Sequence, residues 1–94
     1  MYELLRSKDS ATGPILRFMA TQPHTWFLSI ELWNHFRNLN DSSLNFHTST
    51  IYDALEILLN AQLIEDTYSS NQHGVRHQYK ITAYGWNVAE HLDT

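Results

Sequence analysis

The feature that most constrains this chain is a change of hydrophobic period within residues 45–92. Apolar side chains recur at helical spacing over 48–61, which predicts a half-buried helix. A polar turn at 71–74 then precedes an alternating segment over 75–82, the pattern of a strand that returns in a hairpin. A short helix is predicted over 83–92, with Thr82 as its N-cap. Helix, hairpin and helix in this order predict an α+β fold that is mainly helical.

The helix over 48–61 and the hairpin after it are the clearest predicted elements. Thr48 or Ser49 is expected to cap the helix, because a hydroxyl accepts from the free amides of the first turn. The inward stripe is predicted to consist of Ile51, Ala54, Leu55 and Leu58. The opposite face carries Ser49, Asp53, Glu56 and Asn60. Thr67 and Tyr68 are expected to begin the first strand of the hairpin, and Gly74 to take a positive φ in its turn.

The first half of the sequence predicts two shorter helices around a single strand. Gly13-Pro14 favours a helix start, because proline suits the first turn, and this helix is expected over 14–21 until Pro23 ends it. Residues 26–28 are expected to form a short strand, with Ser29 as the N-cap of the next helix and Glu31 in its first turn. We therefore predict one domain over 1–94, with an N-terminal arm or short helix at 1–12 and a core at 13–92.

The composition excludes several classes of protein. With no cysteine in 94 residues, the chain cannot form disulfides, a zinc ribbon or a thiol active site. No apolar run approaches the ~20 residues needed to span a bilayer, and no signal-peptide pattern occurs, so we expect a cytoplasmic protein without membrane contact. The sequence also lacks a nucleophile elbow, a phosphate loop and a paired-carboxylate motif. We therefore expect a protein that is not an enzyme and uses no cofactor.

The charge is negative overall and unevenly distributed. The formal net charge is −4, and residues 44–94 contain only Arg76 and Lys80 as cations against six carboxylates. The segment 67–82 nevertheless holds both cations, together with His73 and His77, and no acid. Because charges more than about 8–10 Å apart are largely screened at physiological salt, a ligand responds to this local balance. The hairpin is thus the predicted cationic part of the second half.

Three short motifs resemble winged-helix regulators of the PadR type and related bacterial, archaeal and viral proteins. Residues 48–55, Thr-Ser-Thr-Ile-Tyr-Asp-Ala-Leu, resemble the family's hydroxyl-x-Leu-Tyr-x-x-Leu recognition helix, and Leu63-Ile64 resembles its helix exit. Residues 79–85, Tyr-Lys-Ile-Thr-Ala-Tyr-Gly, resemble its Tyr-x-Leu-Thr-x-x-Gly motif. The resemblance covers roughly 27–92. It implies a winged helix-turn-helix with a three-helix core, a β-hairpin wing and a short C-terminal helix.

The chain departs from this resemblance at two points. Gln62 stands where the family commonly has glycine before the helix exit. The family also usually carries a longer C-terminal helical dimerisation arm than residues 83–92 would form. Any homodimer is therefore expected to use another surface, such as the N-terminal segment or the last helix.

The resemblance implies sequence-specific binding of double-stranded DNA by a homodimeric transcriptional regulator. The third helix would enter the major groove, and the wing would touch the backbone or the minor groove. The residues that this places nearest the major groove are His47, Thr48, Ser49, Thr50, Tyr52 and Asp53. The residues that it places on the cationic wing are His73, Arg76, His77 and Lys80. Asp53 and Glu56 are repelled by phosphate, although a carboxylate can accept from cytosine N4.

Three alternatives remain open. The acidic balance favours a winged helix that binds another protein instead of DNA. His73 and His77 are spaced closely enough for a metal, but without a third ligand in the pattern we expect wing contacts or solvated surface and no metal site. Trp26, Trp33 and Trp86 suit either an aromatic pocket for an unknown effector or, more commonly, positions in the core or a dimer interface.

Overall fold

The computed structural model describes residues 11–37, 48–72 and 74–92, without the side chains at 37, 48–50 and 71. Its elements are α1 (Thr12–Ala20), β1 (Phe27–Leu28), α2 (Ser29–Arg37), α3 (Thr48–Asn60), β2 (Ile64–Asn71), β3 (Gly74–Ile81) and α4 (Ala83–Leu92). Most of the predicted N-terminal arm lies outside the described residues. His47 and His73 also lie outside them.

α1 begins two residues before the predicted start at Pro14 and ends one residue before the predicted end at Thr21. Pro14 occupies the first turn, where its missing N–H has no intrahelical partner to lose. At the other end the Thr21 hydroxyl donates to the Phe18 carbonyl oxygen at 2.6 Å, and the N–H of Gln22 donates to that of Met19 at 3.1 Å. These bonds satisfy carbonyls that the helix itself leaves without partners, so α1 can end before Pro23.

The hydrophobic core lies where α1, α2 and α3 pack against one another. Their side chains that are almost fully removed from solvent are Ile15, Leu16, Met19, Leu32, Phe36, Ile51, Ala54, Leu55 and Leu58. The inward stripe predicted for α3 is therefore confirmed. The Phe18 ring stacks on His35 with 3.8 Å between ring centroids, which joins α1 to α2. Burial of a leucine-sized side chain contributes about 1.5–3 kcal/mol, so these stripes hold the three helices together.

Three antiparallel strands form a small sheet in the order β1–β3–β2. β1 pairs with the inner end of β3, which confirms the short strand predicted at 26–28. β2 pairs with the whole of β3, beginning with Ile64 opposite Ile81. It starts three residues before the predicted position, because Ile64 belongs to the core while the acidic Glu65 and Asp66 conceal the alternating pattern. Gly74 has the positive φ expected in the turn, +116°.

A junction of four residues, Gln62, Leu63, Thr82 and Gly85, joins the end of α3 to the start of α4. Gln62 takes a left-handed conformation with a φ of +63°. Its N–H and that of Leu63 each donate to carbonyl oxygens in the last turn of α3 at 3.0 Å. This is the Schellman arrangement, in which glycine is the commonest residue at the left-handed position. Gln62 therefore has the backbone conformation that explains why the family commonly has glycine at this position.

The Thr82 side chain closes the same junction. Its hydroxyl lies 2.9 Å from the Gln62 carbonyl oxygen and 3.0 Å from that of Leu63, and it accepts the N–H of Gly85 at 2.9 Å. The predicted N-cap of the last helix is thus confirmed. Gly85 packs so closely that a Cβ there would overlap the Leu63 carbonyl oxygen. This close approach requires the glycine of the last motif.

Three packed helices, a hairpin that extends from them and a short final helix form a winged helix-turn-helix, as the resemblance implies. β2, β3 and their turn are the wing. α4 closes the core with Val88 and Ala89; Trp86, considered for this position from the sequence, is instead 43% exposed. Among the described helices, none is long and apolar enough to cross a membrane.

Candidate nucleic-acid interface

α3 presents a polar face on the side away from the core. Its exposed side chains are Tyr52, Asp53, Glu56, Ile57 and Asn60. The first turn of α3 contains Thr48, Ser49 and Thr50, whose side chains lie outside the described part of the chain. Tyr52 and Asp53, two of the residues predicted to meet DNA, therefore point to solvent. α3 contains no lysine or arginine, so the charge of this face comes from Asp53 and Glu56.

The amino end of α2 supports Tyr52. Ser29 is expected from the sequence to cap α2, but the helix begins at Ser29 itself. The Glu31 carboxylate accepts the N–H of Leu28 at 2.9 Å instead, which is the carboxylate half of a capping box. The Ser29 hydroxyl donates to the Tyr52 hydroxyl at 3.2 Å and so links α2 to α3. One edge of the Tyr52 phenol is thereby held, while the side chain stays 51% exposed.

The register of the wing separates its side chains onto two faces. The core-side face, which continues the buried Ile64 and Ile81, carries Asp66, Tyr68, Ser70, Val75, His77 and Tyr79. The outer face carries Glu65, Thr67, Ser69, Arg76, Gln78 and Lys80. The wing residues predicted to bind DNA are therefore divided, with His77 on the core-side face and Arg76 and Lys80 on the outer face.

His77 is held in a network on the core-side face. Its ring stacks on Tyr68 with 4.2 Å between centroids and lies 4.4 Å from the Tyr79 ring. His77 Nε2 is 2.7 Å from Asp66 Oδ2, and Nδ1 is 3.1 Å from the Tyr79 hydroxyl. Because a carboxylate only accepts, the proton between His77 and Asp66 lies on Nε2. His77 is therefore engaged by Asp66, Tyr68 and Tyr79, and its contact with DNA stays a prediction.

Tyr79 forms the inner end of this network. Burial raises the pKa of its phenol, and the nearby Asp66 carboxylate and the Tyr68 and Tyr52 phenols raise the pKa further. The Tyr79 hydroxyl therefore stays protonated at physiological pH and can donate to His77 Nδ1. The Tyr52 phenol that contributes to this shift belongs to α3.

The register also changes the charge balance predicted for the wing. Lys80 Nζ lies 3.7 Å from Glu65 Oε1 and 5.0 Å from the centre of the Trp26 ring. Glu65 and Asp66 precede the acid-free segment 67–82 in sequence, but antiparallel pairing places them beside its cationic residues. The segment 67–82 is thus acid-free along the sequence, but carboxylates lie beside it in space.

Arg76 differs from Lys80 in its surroundings. It lies opposite Ser69 near the end of the hairpin and is exposed. Within the described residues no carboxylate lies within ion-pair distance of its guanidinium. Arg76 is therefore the more exposed of the two cations in the described wing, Arg76 and Lys80.

The three tryptophans lie in different surroundings. Trp33 packs against the core, Trp26 lies beneath Lys80, and Trp86 projects from α4. Trp86 borders a cleft of about 440 Å³ towards Pro23 and a smaller one of about 200 Å³ towards Arg17. Neither cleft is lined by a second tryptophan. In these two clefts, therefore, the tryptophans do not combine into one aromatic pocket.

The metal alternative rests on His73 and His77, of which the first lies outside the described residues. Across the described ranges, no three His, Cys, Asp or Glu side chains lie close enough together to hold a metal ion. Both ring nitrogens of His77 are also within hydrogen-bond distance of protein atoms.

Sequence reasoning did not assign Tyr68, Asp66 or Ser29 to the candidate interface. The first two could have been found by counting from the turn, because pairing Asn71 with Gly74 places Tyr68 opposite His77. Ser29 carries no such signal, since its contact with Tyr52 depends on how α2 packs against α3.

Comparisons with known proteins agree on the fold. No family model and no curated protein matches the sequence. A PadR family transcription regulator from Clostridium difficile matches with a TM-score of 0.68 and 21% identity, over 84% of this chain and 82% of its own. A PadR-like transcriptional regulator from Bacillus cereus matches with a TM-score of 0.67 and 20% identity, over 88% of this chain and 81% of its own.

An archaeal structure gives the same result. A possible transcriptional regulator from Methanosarcina mazei matches with a TM-score of 0.65 and 16% identity, over 96% of this chain and 70% of its own. The chain has the winged-helix fold of PadR-family regulators. At these identities the likeness is one of fold.

Proposed function

We propose that this protein is a transcriptional regulator that binds double-stranded DNA as a homodimer in the cytoplasm. The observation that carries the proposal is the likeness in fold, over 84–96% of the chain, to transcriptional regulators. In winged helices that bind DNA, the third helix enters the major groove and the wing contacts the backbone or the minor groove. The junction supports the same use here, because Thr82 ties the base of the wing to the end of α3.

α3 would read the base sequence. Its first turn contains Thr48, Ser49 and Thr50, whose hydroxyls can bond to phosphates or base edges, and the helix amides there add an anion site. Tyr52 and Asp53 follow on the outward face. Phosphate repels the Asp53 carboxylate, but that carboxylate accepts from cytosine N4 and would favour a C·G pair. His47 precedes this turn and completes the proposed reading residues.

The wing would bind the phosphate backbone through few charges. Arg76 is exposed, whereas Lys80 is shared with Glu65, and His77 is engaged by Asp66. Each neutralised phosphate contributes about 0.9 to the slope of log K against log salt. We therefore expect a modest affinity and a shallow salt dependence per protomer, which a homodimer would double.

Binding of the purified protein to DNA upstream of its own gene tests this proposal. Fluorescence anisotropy at about 50 mM and about 200 mM salt should show binding that weakens as salt rises. Arg76→Ala should reduce the salt slope by about 1, because it removes a phosphate contact. Ser49→Ala should weaken binding and relax the preference for the upstream sequence.

The control for these variants is Asn87→Ala, at an exposed position that belongs to α4 and to neither α3 nor the wing. It should bind as the wild-type protein does. Failure of the wild-type protein to bind any DNA at low salt would refute the proposal, as would wild-type binding by both variants. Light scattering coupled to gel filtration tests the homodimer.

The acidic face of α3 favours a second candidate function, the binding of a basic protein partner. Asp53 and Glu56 are exposed there, and no cation on the helix offsets them. Charge-neutralising variants separate the two functions. Asp53→Asn with Glu56→Gln should strengthen non-specific binding if α3 faces DNA, because repulsion of phosphate is removed. The same variant should weaken the attachment of a basic protein.

A further inference from the structure

Two large apolar side chains project from the outer half of the wing. Val75 is 69% exposed and Tyr68 is 67% exposed, the highest exposures among the large hydrophobic side chains of the described residues. Single apolar residues on a surface are common, so exposure by itself carries little information. The way in which Tyr68 is held and the direction of its face are more informative.

Tyr68 is ordered by its neighbours before any ligand arrives. Its ring stacks on His77 with the two planes inclined by only 16°. His77 is in turn fixed by Asp66 at 2.7 Å and by the Tyr79 hydroxyl at 3.1 Å. Tyr79 itself is buried in the core. Tyr68 therefore has little rotamer freedom left to lose, which lowers the entropic cost of a contact.

The face that carries Tyr68 leads to the outward face of α3. Tyr79 lies on the core-side face of the wing, and its neighbour Gln78 pairs with Leu28, which precedes the Ser29 that donates to the Tyr52 hydroxyl of α3. Tyr68 and Val75 continue the same face towards the turn, whereas Arg76 points to the other side. A ligand on the outward face of α3 would therefore meet Tyr68 and Val75 on the adjoining face of the wing.

We propose that Tyr68, backed by His77 and extended by Val75, is the principal contact of the wing with double-stranded DNA. This inference rests on the proposed function and assigns the wing contact to an uncharged surface. A tyrosine ring can pack on deoxyribose and the groove wall, while its hydroxyl bonds to a phosphate or base-edge acceptor. Because no cation is involved, the contact releases no counterions and adds affinity without salt dependence.

A salt titration distinguishes Tyr68 from the cationic Arg76. Anisotropy on the upstream DNA would give Kd at several salt concentrations for the wild-type protein and each variant. Tyr68→Ala should raise Kd about tenfold at every salt concentration and leave the slope unchanged. Arg76→Ala should instead flatten the slope by about 1. Thr67→Ala, on the outer face of the same strand, is the matched control and should bind like the wild type.

Two further variants separate DNA contact from folding of the wing. Tyr68→Phe keeps the ring and its stack on His77, so Kd should stay within about threefold of the wild-type value. Val75→Ser removes apolar surface near the turn without altering the stack. It should weaken binding severalfold, again with an unchanged slope. Circular dichroism melting confirms the fold of each variant.

The outcomes separate this inference from the proposed function. If the wild-type protein binds while Tyr68→Ala and Val75→Ser keep its Kd, the inference is overturned and the proposed function stands. A flatter salt slope in Tyr68→Ala would also overturn the inference, because the lost contact would then be ionic. If the wild-type protein binds no DNA at low salt, the proposed function fails and the inference fails with it.

Discussion

The base and the outer half of the wing are stabilised by different kinds of contact. At the base, the Thr82 hydroxyl bonds to the carbonyl oxygens of Gln62 and Leu63, and Gly85 packs directly against that of Leu63. Beyond Tyr79 the strands lie outside the core, and a stack of rings with the His77–Asp66 hydrogen bond adds to the backbone ladder. Backbone atoms in contact cannot move aside as side chains can. We therefore expect substitutions at the base to affect the whole fold and those in the outer half to act locally.

Gly85→Ala should have the largest effect and tests the base directly. The new Cβ would overlap the Leu63 carbonyl oxygen, which is held by Thr82. We expect the free energy of unfolding to fall by about 3 kcal/mol or more, the upper part of the range for overpacking. Urea denaturation measures the change. Asn87→Ala, an exposed position on the same helix, should change it by less than about 0.5 kcal/mol.

A Gly85→Ala protein as stable as the wild type would show that the junction adjusts freely. The contrast between the base and the outer half of the wing would then be lost.

Gln62→Gly should sharpen the comparison in the opposite direction. Glycine adopts the left-handed φ of +63° at this position without the steric cost that a side chain adds. We expect the free energy of unfolding to rise by about 1 kcal/mol, measured by urea denaturation. Gln22→Gly is the control, at an exposed position outside the left-handed region, and should be neutral or slightly destabilising. Destabilisation by Gln62→Gly would contradict the backbone explanation.

His77→Ala tests the outer half. It removes the ring on which Tyr68 stacks and the partner of Asp66, both at partly exposed positions. Because such pairs contribute little to global stability, the free energy of unfolding should change by less than about 1 kcal/mol. Exchange of the amides that bond between β2 and β3 around Tyr68 should nevertheless become faster, since local opening needs less energy. Thr67→Ala should leave exchange unchanged. If His77→Ala instead lowered the free energy of unfolding by several kcal/mol, the base and the outer half of the wing would unfold together and the comparison would fail.

The smallest effect is expected at alkaline pH and arises where the two halves meet. Burial and the Asp66 carboxylate raise the pKa of Tyr79 above its usual 10.0 in the folded protein. The unfolded chain therefore releases the phenol proton first. The stability contributed by neutral Tyr79 is present below pH 10.0 and is lost as pH rises through the folded pKa.

Urea denaturation at several values between about pH 8 and about pH 11 would measure this loss. Tyr79→Phe should lose less stability over that range than the wild type does. Tyr84→Phe, in which an exposed tyrosine of α4 is replaced, should follow the wild-type curve. If Tyr79→Phe also follows it, the phenol is not the group responsible.

Predictions from the sequence succeeded where the cause lies within a few residues. The stripe with Leu55 and Leu58 follows from helical spacing, the cap at Thr82 from one hydroxyl, and the positive φ of Gly74 from a turn. The start of β2 was predicted too late, because Glu65 and Asp66 break the apolar alternation although the backbone already pairs there. Local pattern also could not show that Trp86 is exposed while Val88 is buried, since that depends on which side of α4 meets α1.

The sequence by itself determined the elements and their order, because hydrophobic period and turn chemistry act along the chain, and its resemblance to PadR-type regulators implied the winged-helix arrangement. Only the tertiary structure decided which charges of the wing remain available. Its register brings Asp66 to His77 and Glu65 to Lys80, leaves Arg76 exposed and turns Tyr68 to the side of α3. The physical reason is that ion pairs and ring stacks act through space over a few ångströms, between residues that the sequence separates.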